Sequence, residues 1–256
     1  MILNNMITMS SAFPSWIKRT PGRDNGPADR PAGATVIFPH AGAAAAGYRV
    51  LAAALAAGGD TYVVQYPQRA DRLSEPAHDS VHDLATSLFQ AAPWPSVAPL
   101  TLFGHSMGAV VAFEFARVAE THGAQVRKLW VSAGPPPCVV VDMPELPTSD
   151  DGLLADIADL GGTDPELLAD EEFSELLTTA VRADYRAFNG YDPSPDVRIG
   201  ADIHVLGGHD DHRIETGVLR RWERHTAGSF ALSLYDGGHF YVYDHLDAVA
   251  AQVNAG

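Results

Sequence analysis

The sequence predicts an α/β fold: a mostly parallel central sheet with helices on both faces and an inserted helical lid. Three observations carry this expectation. Short apolar runs alternate with helix-period segments over residues 34–140, the alternation stops over 141–199, and it resumes over 200–256. The chain therefore divides into an irregular N-terminal arm (1–33), a core made of 34–140 and 200–256, and a helical insertion at 141–199. At 256 residues this is enough chain to bury a sizeable core.

Residues 1–33 are rich in Pro, Gly, Asn and Asp and hold no sustained period; Phe13 and Trp16 are the side chains available to pin this arm to the body. Residues 35–38 (Thr-Val-Ile-Phe) form a continuous apolar run, the pattern of a strand buried on both faces. A small-residue loop follows, then a helix over about 47–57 with Val50, Leu51, Ala54 and Leu55 on one face, stopped by Gly58-Gly59. A strand at 61–66 leads into a polar loop and a helix over about 80–92, ended by Pro93 and Pro95. Strands at 101–103 and 129–132 bracket a helix over 109–119. The insertion reads as helices over 152–160 and 165–188, apolar at Leu167, Leu168, Phe173, Leu176, Leu177 and Val181. Its place between strands suits a lid over the sheet edge that holds the site. The tail gives strands at 203–206 and 230–235 and helices over 215–226 and 247–254.

Chemistry concentrates at Gly104-His-Ser-Met-Gly108, a G-x-S-x-G between a strand and a helix. In an α/β-hydrolase fold this context makes a nucleophile elbow, with Ser106 exposed at a helix N-terminus and glycines where the turn leaves no room for side chains. A serine nucleophile needs a base and an acid to orient that base, both at the ends of later strands. His239 follows a strand and a Gly-Gly turn, and His245 is the weaker alternative. Asp210 and Asp211 both follow the preceding strand; the turn counted from Gly208 favours Asp211. The order Ser106, Asp211, His239 is the one this fold uses. The N–H of Met107 and that of Ala41 are the candidate oxyanion donors. The run His209, Asp210, Asp211, His212 lacks a zinc-enzyme pattern and is not read as a metal site, and no cofactor is called for. Cys138, the one cysteine, sits in a proline-rich loop with no base nearby and reads as structural.

Several blocks in order, Phe38-Pro-His-Ala-Gly42, Gln65-Tyr-Pro67 with Arg69 and Asp71-Arg72-Leu73, the elbow, Arg182-Ala-Asp-Tyr185 and Gly237-Gly-His-Phe240, resemble the type II thioesterases of nonribosomal peptide and polyketide synthesis. The resemblance implies hydrolysis of acyl or aminoacyl thioesters from the 4′-phosphopantetheine arm of an acyl or peptidyl carrier protein, clearing misprimed or stalled groups. It implies Ser106 as nucleophile, His239 as base, Asp211 as acid, and Met107 and Ala41 as oxyanion donors. Two departures stand out: Ala43 replaces the usual second glycine of the His-Ala-Gly-Gly loop, and His209 and His212 flank the acid.

Composition bears on partners and location. Seventeen Lys and Arg stand against thirty-two Asp and Glu, a formal net charge of −15, which disfavours nucleic acid and anionic membranes. The lack of a leader pattern or a long apolar run points to the cytoplasm. Since carrier proteins of such systems are typically acidic, a local patch of basic and apolar residues is expected at the channel mouth, with Arg69, Arg72, Arg182 and Arg186 as the candidate cations. A general carboxylesterase or lipase, an acyltransferase and a non-catalytic carrier-binding protein are the competing readings.

Overall fold

The computed structural model describes residues 13–22 and 33–256. Strand β1 (Ile17–Thr20) is followed by β2 (Ala34–Phe38), α1 (Arg49–Leu55), β3 (Asp60–Val64), α2 (Val81–Gln90), β4 (Leu100–His105), α3 (Met107–Thr121) and β5 (Val126–Ser132). Four helices come next without a strand: α4 (Pro137–Val140), α5 (Asp150–Leu160), α6 (Pro165–Leu168) and α7 (Glu171–Asn189). The chain closes with β6 (Asp202–Gly208), α8 (Thr216–Leu219), β7 (Phe230–Tyr235), α9 (Tyr241–Asp244) and α10 (Leu246–Ala255).

The strands form one sheet in the order β1-β3-β2-β4-β5-β6-β7, parallel except for β1. Strand periodicity sorts its side chains into two cores. Val36, Phe38, Leu102, Leu129 and Val131 pack beneath α2 and α3, while Ile37, Phe103 and Trp130 pack against α1 and α10. Both faces being covered, β2, β4 and β5 need continuous apolar runs rather than an alternating pattern. α3, at the centre, is apolar on nearly all sides and buried accordingly.

Three segments differ from the sequence expectation. The arm holds one regular element where it is described: Ile17–Thr20 pairs antiparallel with β3 as an edge strand, between irregular residues 13–16 and 21–22. Four residues with one apolar side chain carry too little pattern to announce a strand; pairing with β3 supplies what propensity does not. Phe13 stacks on Tyr62 at 4.6 Å and meets Trp94 edge-on at 5.1 Å, and the Arg72 guanidinium lies 3.9 Å over the Trp16 ring. The rest of the expected arm, 1–12 and 23–32, lies outside the described residues. Second, the helix expected over 165–188 is two. Asp170 caps a new helix by accepting the Phe173 N–H at 2.8 Å, and Asp164 caps the short one before it. Third, the helix expected over 215–226 is one turn of α-helix and then a 3-10 helix (Arg220–His225). Trp222 and His225, three residues apart, are both fully buried, and a three-residue turn puts them on one side. Trp222 Nε1 donates to Gly134 O, His225 Nδ1 donates to Val197 O, and its Nε2 accepts the Cys138 N–H.

Among the described residues no helix is long and apolar enough to cross a membrane.

The clamp on the N-terminal strand yields a test. Arg72 donates to Gln65 O at 2.8 Å, to Glu75 at 2.7 and 3.0 Å, and covers Trp16. Arg72→Ala is expected to lower unfolding stability by about 2 kcal/mol, read from the denaturant midpoint at unchanged m-value.

Candidate active site

The elbow is built by close backbone approach. Ser106 sits at φ 56° and ψ −125° between β4 and α3, a conformation uncommon outside glycine. A Cβ on Gly104 would lie within 3.0 Å of Gly108 O and the Ala109 backbone, and one on Gly108 would strike the carbonyls of Phe38 and Pro39. Neither neighbour can yield, since each is buried main chain. The Ser106 N–H donates to Ser132 O at 2.7 Å, tying the turn to the next strand.

The same device joins the other two groups. Gly208, at the end of β6, leaves room for the carbonyls of Gly237 and Gly238, and the Asp210 N–H donates to Gly237 O at 2.9 Å. This brings the turns after β6 and β7 into contact. Asp211 Oδ2 lies 2.9 Å from His239 Nδ1, and His239 Nε2 lies 2.9 Å from Ser106 Oγ. A carboxylate only accepts, so Nδ1 carries the proton and Nε2 is free to accept from the serine. Asp211 Oδ1 accepts the N–H groups of Arg213 and Ile214 at 2.9 and 3.3 Å. Burial works to raise the Asp211 carboxyl; its hydrogen bond and charge interaction with His239 and the two N–H groups outweigh this and hold it below its ordinary value. Asp210 is exposed and takes no part, and His245 donates to Asp236 O away from the cluster. His209 is exposed and His212 reaches Asp159 at 3.0 Å, so the four adjacent side chains diverge.

Two further histidines surround His239. His40 meets His105 and Phe240 edge-to-face, and His105 lies tilted against Phe240 and against His239, with His105 and His239 ring centroids 5.3 Å apart. Burial first, then the neighbouring His239 and Arg69, pushes His40 down to about 3. Burial also holds His105 well below its ordinary value. Both rings are therefore neutral at physiological pH.

The loop after β2 runs past Ser106 without regular structure. The His40 N–H donates to Tyr48 OH at 3.0 Å, the Gly42 N–H to Asp184 Oδ2 at 2.8 Å, the Ala43 N–H to His40 O at 3.2 Å and the Ala45 N–H to Gln65 Oε1 at 2.9 Å. Among the described residues the N–H groups of Ala41 and Met107 meet no protein acceptor. Ala43 is not among the left-handed residues, so an alanine fits where a glycine was expected.

Two cavities meet here. One of about 40 Å³ is lined by Ser106, His239, Pro135, Met143, Phe188 and Ile214. The other, about 540 Å³, runs beneath α5 and α7 past Gly42, Arg69 and Phe240. Ala41, Leu160 and Tyr185 line both. Leu167 and Leu176 of the expected inward stripe are about half exposed at the mouth of the larger cavity, beside Leu73 and Tyr243.

The basic part of the expected patch does not form. Arg69 is buried against Asp184, Arg72 pairs with Glu75, and Arg182 pairs with Asp150 and donates to Thr148 O. Arg186 alone of the four is exposed without an ion pair among the described residues. Sequence reasoning also missed the supports of the loop, Tyr48, Gln65 and Asp184. The available signals were the Gln65-Tyr-Pro67 block, which holds Gln65, and the Arg182-Ala-Asp-Tyr185 block, whose aspartate lies 115 residues from its partner Arg69.

Comparison with known proteins gives the family. A family model described as a thioesterase domain matches residues 35–256. The chain is 60% identical over 245 residues to phenyloxazoline synthase MbtB of Mycobacterium tuberculosis, covering 95% of this chain and 17% of that protein. It is 36% identical to thioesterase PikA5 of Streptomyces venezuelae, covering 93% and 84%. The solved type II thioesterase BorB from the borrelidin biosynthetic cluster superimposes with a TM-score of 0.80 at 35% identity, covering 95% and 98%. The chain thus spans about a sixth of the synthase and most of the two thioesterases.

The lowered Asp211 carboxyl predicts a pH signature. A depressed native pKa adds stability that is complete above the unfolded value, about 3.9, and is lost as pH falls through the native one. Thermal unfolding of wild type and Asp211→Asn should therefore differ at about pH 5, and the gap should close as the pH drops below about 4.

Proposed function

The chain belongs to the thioesterase domain family and has the α/β-hydrolase fold of its type II members, and from that premise we propose that it hydrolyses acyl or aminoacyl thioesters carried on the 4′-phosphopantetheine arm of a carrier protein. The observation that carries the reading is the unbroken line Ser106 Oγ, His239 Nε2 and Nδ1, Asp211 Oδ2, each contact 2.9 Å, ending beside two unengaged N–H groups. Ser106 Oγ attacks the thioester carbonyl as His239 Nε2 takes its proton, and Asp211 steadies the imidazolium. The oxyanion accepts from Ala41 and Met107 at the N-terminus of α3. The pantetheine sulfur leaves with the proton from His239, and a water activated by the same ring releases the acid. No cofactor or metal enters these steps.

The helices over 150–189 act in this reading as the lid, with the larger cavity beneath them receiving a long, thin arm. Four of the six most exposed large apolar side chains among the described residues, Leu73, Leu167, Leu176 and Tyr243, ring its mouth. An apolar rim suits an encounter between two acidic proteins, where net charge opposes approach and local desolvation must supply affinity. The expected setting is the cytoplasm.

One observation favours a second reading of the same chemistry. The 60% identity to a segment of a large synthase exceeds the identity to the separate thioesterases, so the acid released can be a finished chain rather than a stalled one.

Single-turnover release from a carrier loaded with a short acyl group tests the proposal. Ser106→Ala is expected to lower the rate by about three orders of magnitude or more, and a matched simple oxygen ester should be a poor substrate for wild type. Equal release by both proteins would overturn the serine mechanism, and preference for the ester would move the assignment to a general esterase. Faster release of an aryl-oxazoline-bearing chain than of an acetyl group would favour the second reading.

A further inference from the structure

We propose that Asp184, on α7, is a positioning residue for the oxyanion loop: by accepting the Gly42 N–H it aims the neighbouring Ala41 N–H at the reacting carbonyl, and it can do so only while the helical insertion is seated. The inference rests on the thioesterase reading above and names what controls its oxyanion donor.

The geometry is specific. Ala41 lies between two anchored peptides, the His40 N–H held by Tyr48 OH and the Gly42 N–H held by Asp184. The direction of the Ala41 N–H is fixed by the planes on either side of it. One of those anchors is supplied by the sheet side and the other by the insertion. Gly42 is also in contact with α7 by shape: at φ 77° it leaves no space for a Cβ, which would strike Val181 Cγ2 and approach Leu177 Cδ1. Loop and helix are thus joined by a hydrogen bond and by packing at the same residue.

Arg69 completes the device from the core. Its Nη2 donates to the Asp184 oxygen that also accepts from Gly42, and its Nε and Nη1 have no partner among the described residues. Asp184 is 8% exposed and Arg69 5%. Residues on both sides of Arg69, Gln68 at φ 63° and Ala70 at φ 48°, adopt the left-handed conformation. Such backbone is held only where the surroundings require it, and here it turns a cation inward to one carboxylate. A surface salt bridge needs none of these arrangements. The acceptor is a charged oxygen in a water-poor site, where it orients a donor more strongly than a solvated one.

The test separates an anchored donor from a mere lid contact. Arg69→Met is combined with Asp184→Asn or with Asp184→Leu, two side chains of similar shape of which only the amide offers an acceptor to Gly42. Neither variant leaves a buried charge unpaired. With an acyl-pantetheine thioester, which needs no carrier docking, the Asn variant is expected to exceed the Leu variant in kcat by about 10- to 100-fold, with KM values within about threefold. Equal kcat in the two, with both folded by circular dichroism and thermal unfolding, would overturn the proposal and leave Asp184 a structural residue. Should either variant not fold, hydrogen exchange in the wild type decides: slow exchange at the Gly42 amide supports the anchor, and exchange at the rate of an open loop overturns it. Ser106→Ala run alongside keeps the two readings apart. If wild-type hydrolysis depends on Ser106 and the Asn and Leu variants match, only the positioning role fails.

Discussion

The top of the sheet is organised by how closely main chain approaches main chain where β2, β4, β6 and β7 end. Gly104 lies against Gly108, Gly108 against the carbonyls that close β2, and Gly208 against the turn that precedes His239. Each contact excludes a side chain, and together they bring three functional groups drawn from distant parts of the chain within hydrogen-bonding distance. The side chains then need little freedom of their own. His239 and Asp211 are nearly wholly buried, and each polar atom of the pair has a stated partner. Precision at the centre therefore comes from backbone packing, the least deformable part of a close-packed interior.

Charge is handled with the same economy. His40 and His105 sit beside His239 yet remain neutral, so a proton arriving on His239 meets no competing cation from its own kind. His105 Nδ1 is 2.9 Å from Ser132 Oγ, which is 2.7 Å from Tyr241 OH. That chain of neutral groups braces the elbow from below. The buried cation Arg69 is matched to Asp184, whose carboxyl is raised by burial against the pull of Arg69 and the Gly42 N–H. Such a pair contributes little net stability, because desolvation of both ions offsets their attraction. Its value lies in the geometry it imposes on the loop.

The central sheet, the order of its elements, the elbow at Ser106 and the strand-end turns that carry Asp211 and His239 were readable from short patterns, because each of these segments is marked by residues close in sequence. Val36, Ile37 and Phe38 announce a strand buried on both faces, and Gly104 and Gly108 announce a turn too tight for side chains. What escaped depends on partners far apart. Ile17 becomes part of a strand only by pairing with Val64, and Trp222 and His225 shorten their helix turn only because both must be buried. The arginines failed for a related reason. Sequence gives their charge and approximate neighbourhood, but the inward turn of Arg69 is set by left-handed residues on either side, and no local pattern marks Gln68 or Ala70 as left-handed.

Adjacent residues of α7 reach opposite sides of the centre. Asp184 holds the loop beside Ser106, while Tyr185 OH donates to Asp156 at 2.7 Å, which accepts from Arg213 at 2.6 Å, whose N–H in turn donates to Asp211. The insertion is thus wired both to the loop that holds Ala41 and to Asp211 through a single turn of helix. For anyone wishing to trim this scaffold, the smallest working unit is larger than the sheet and its flanking helices: a truncation that removes 150–189 uncovers the serine and at the same time dismantles the supports of the groups around it.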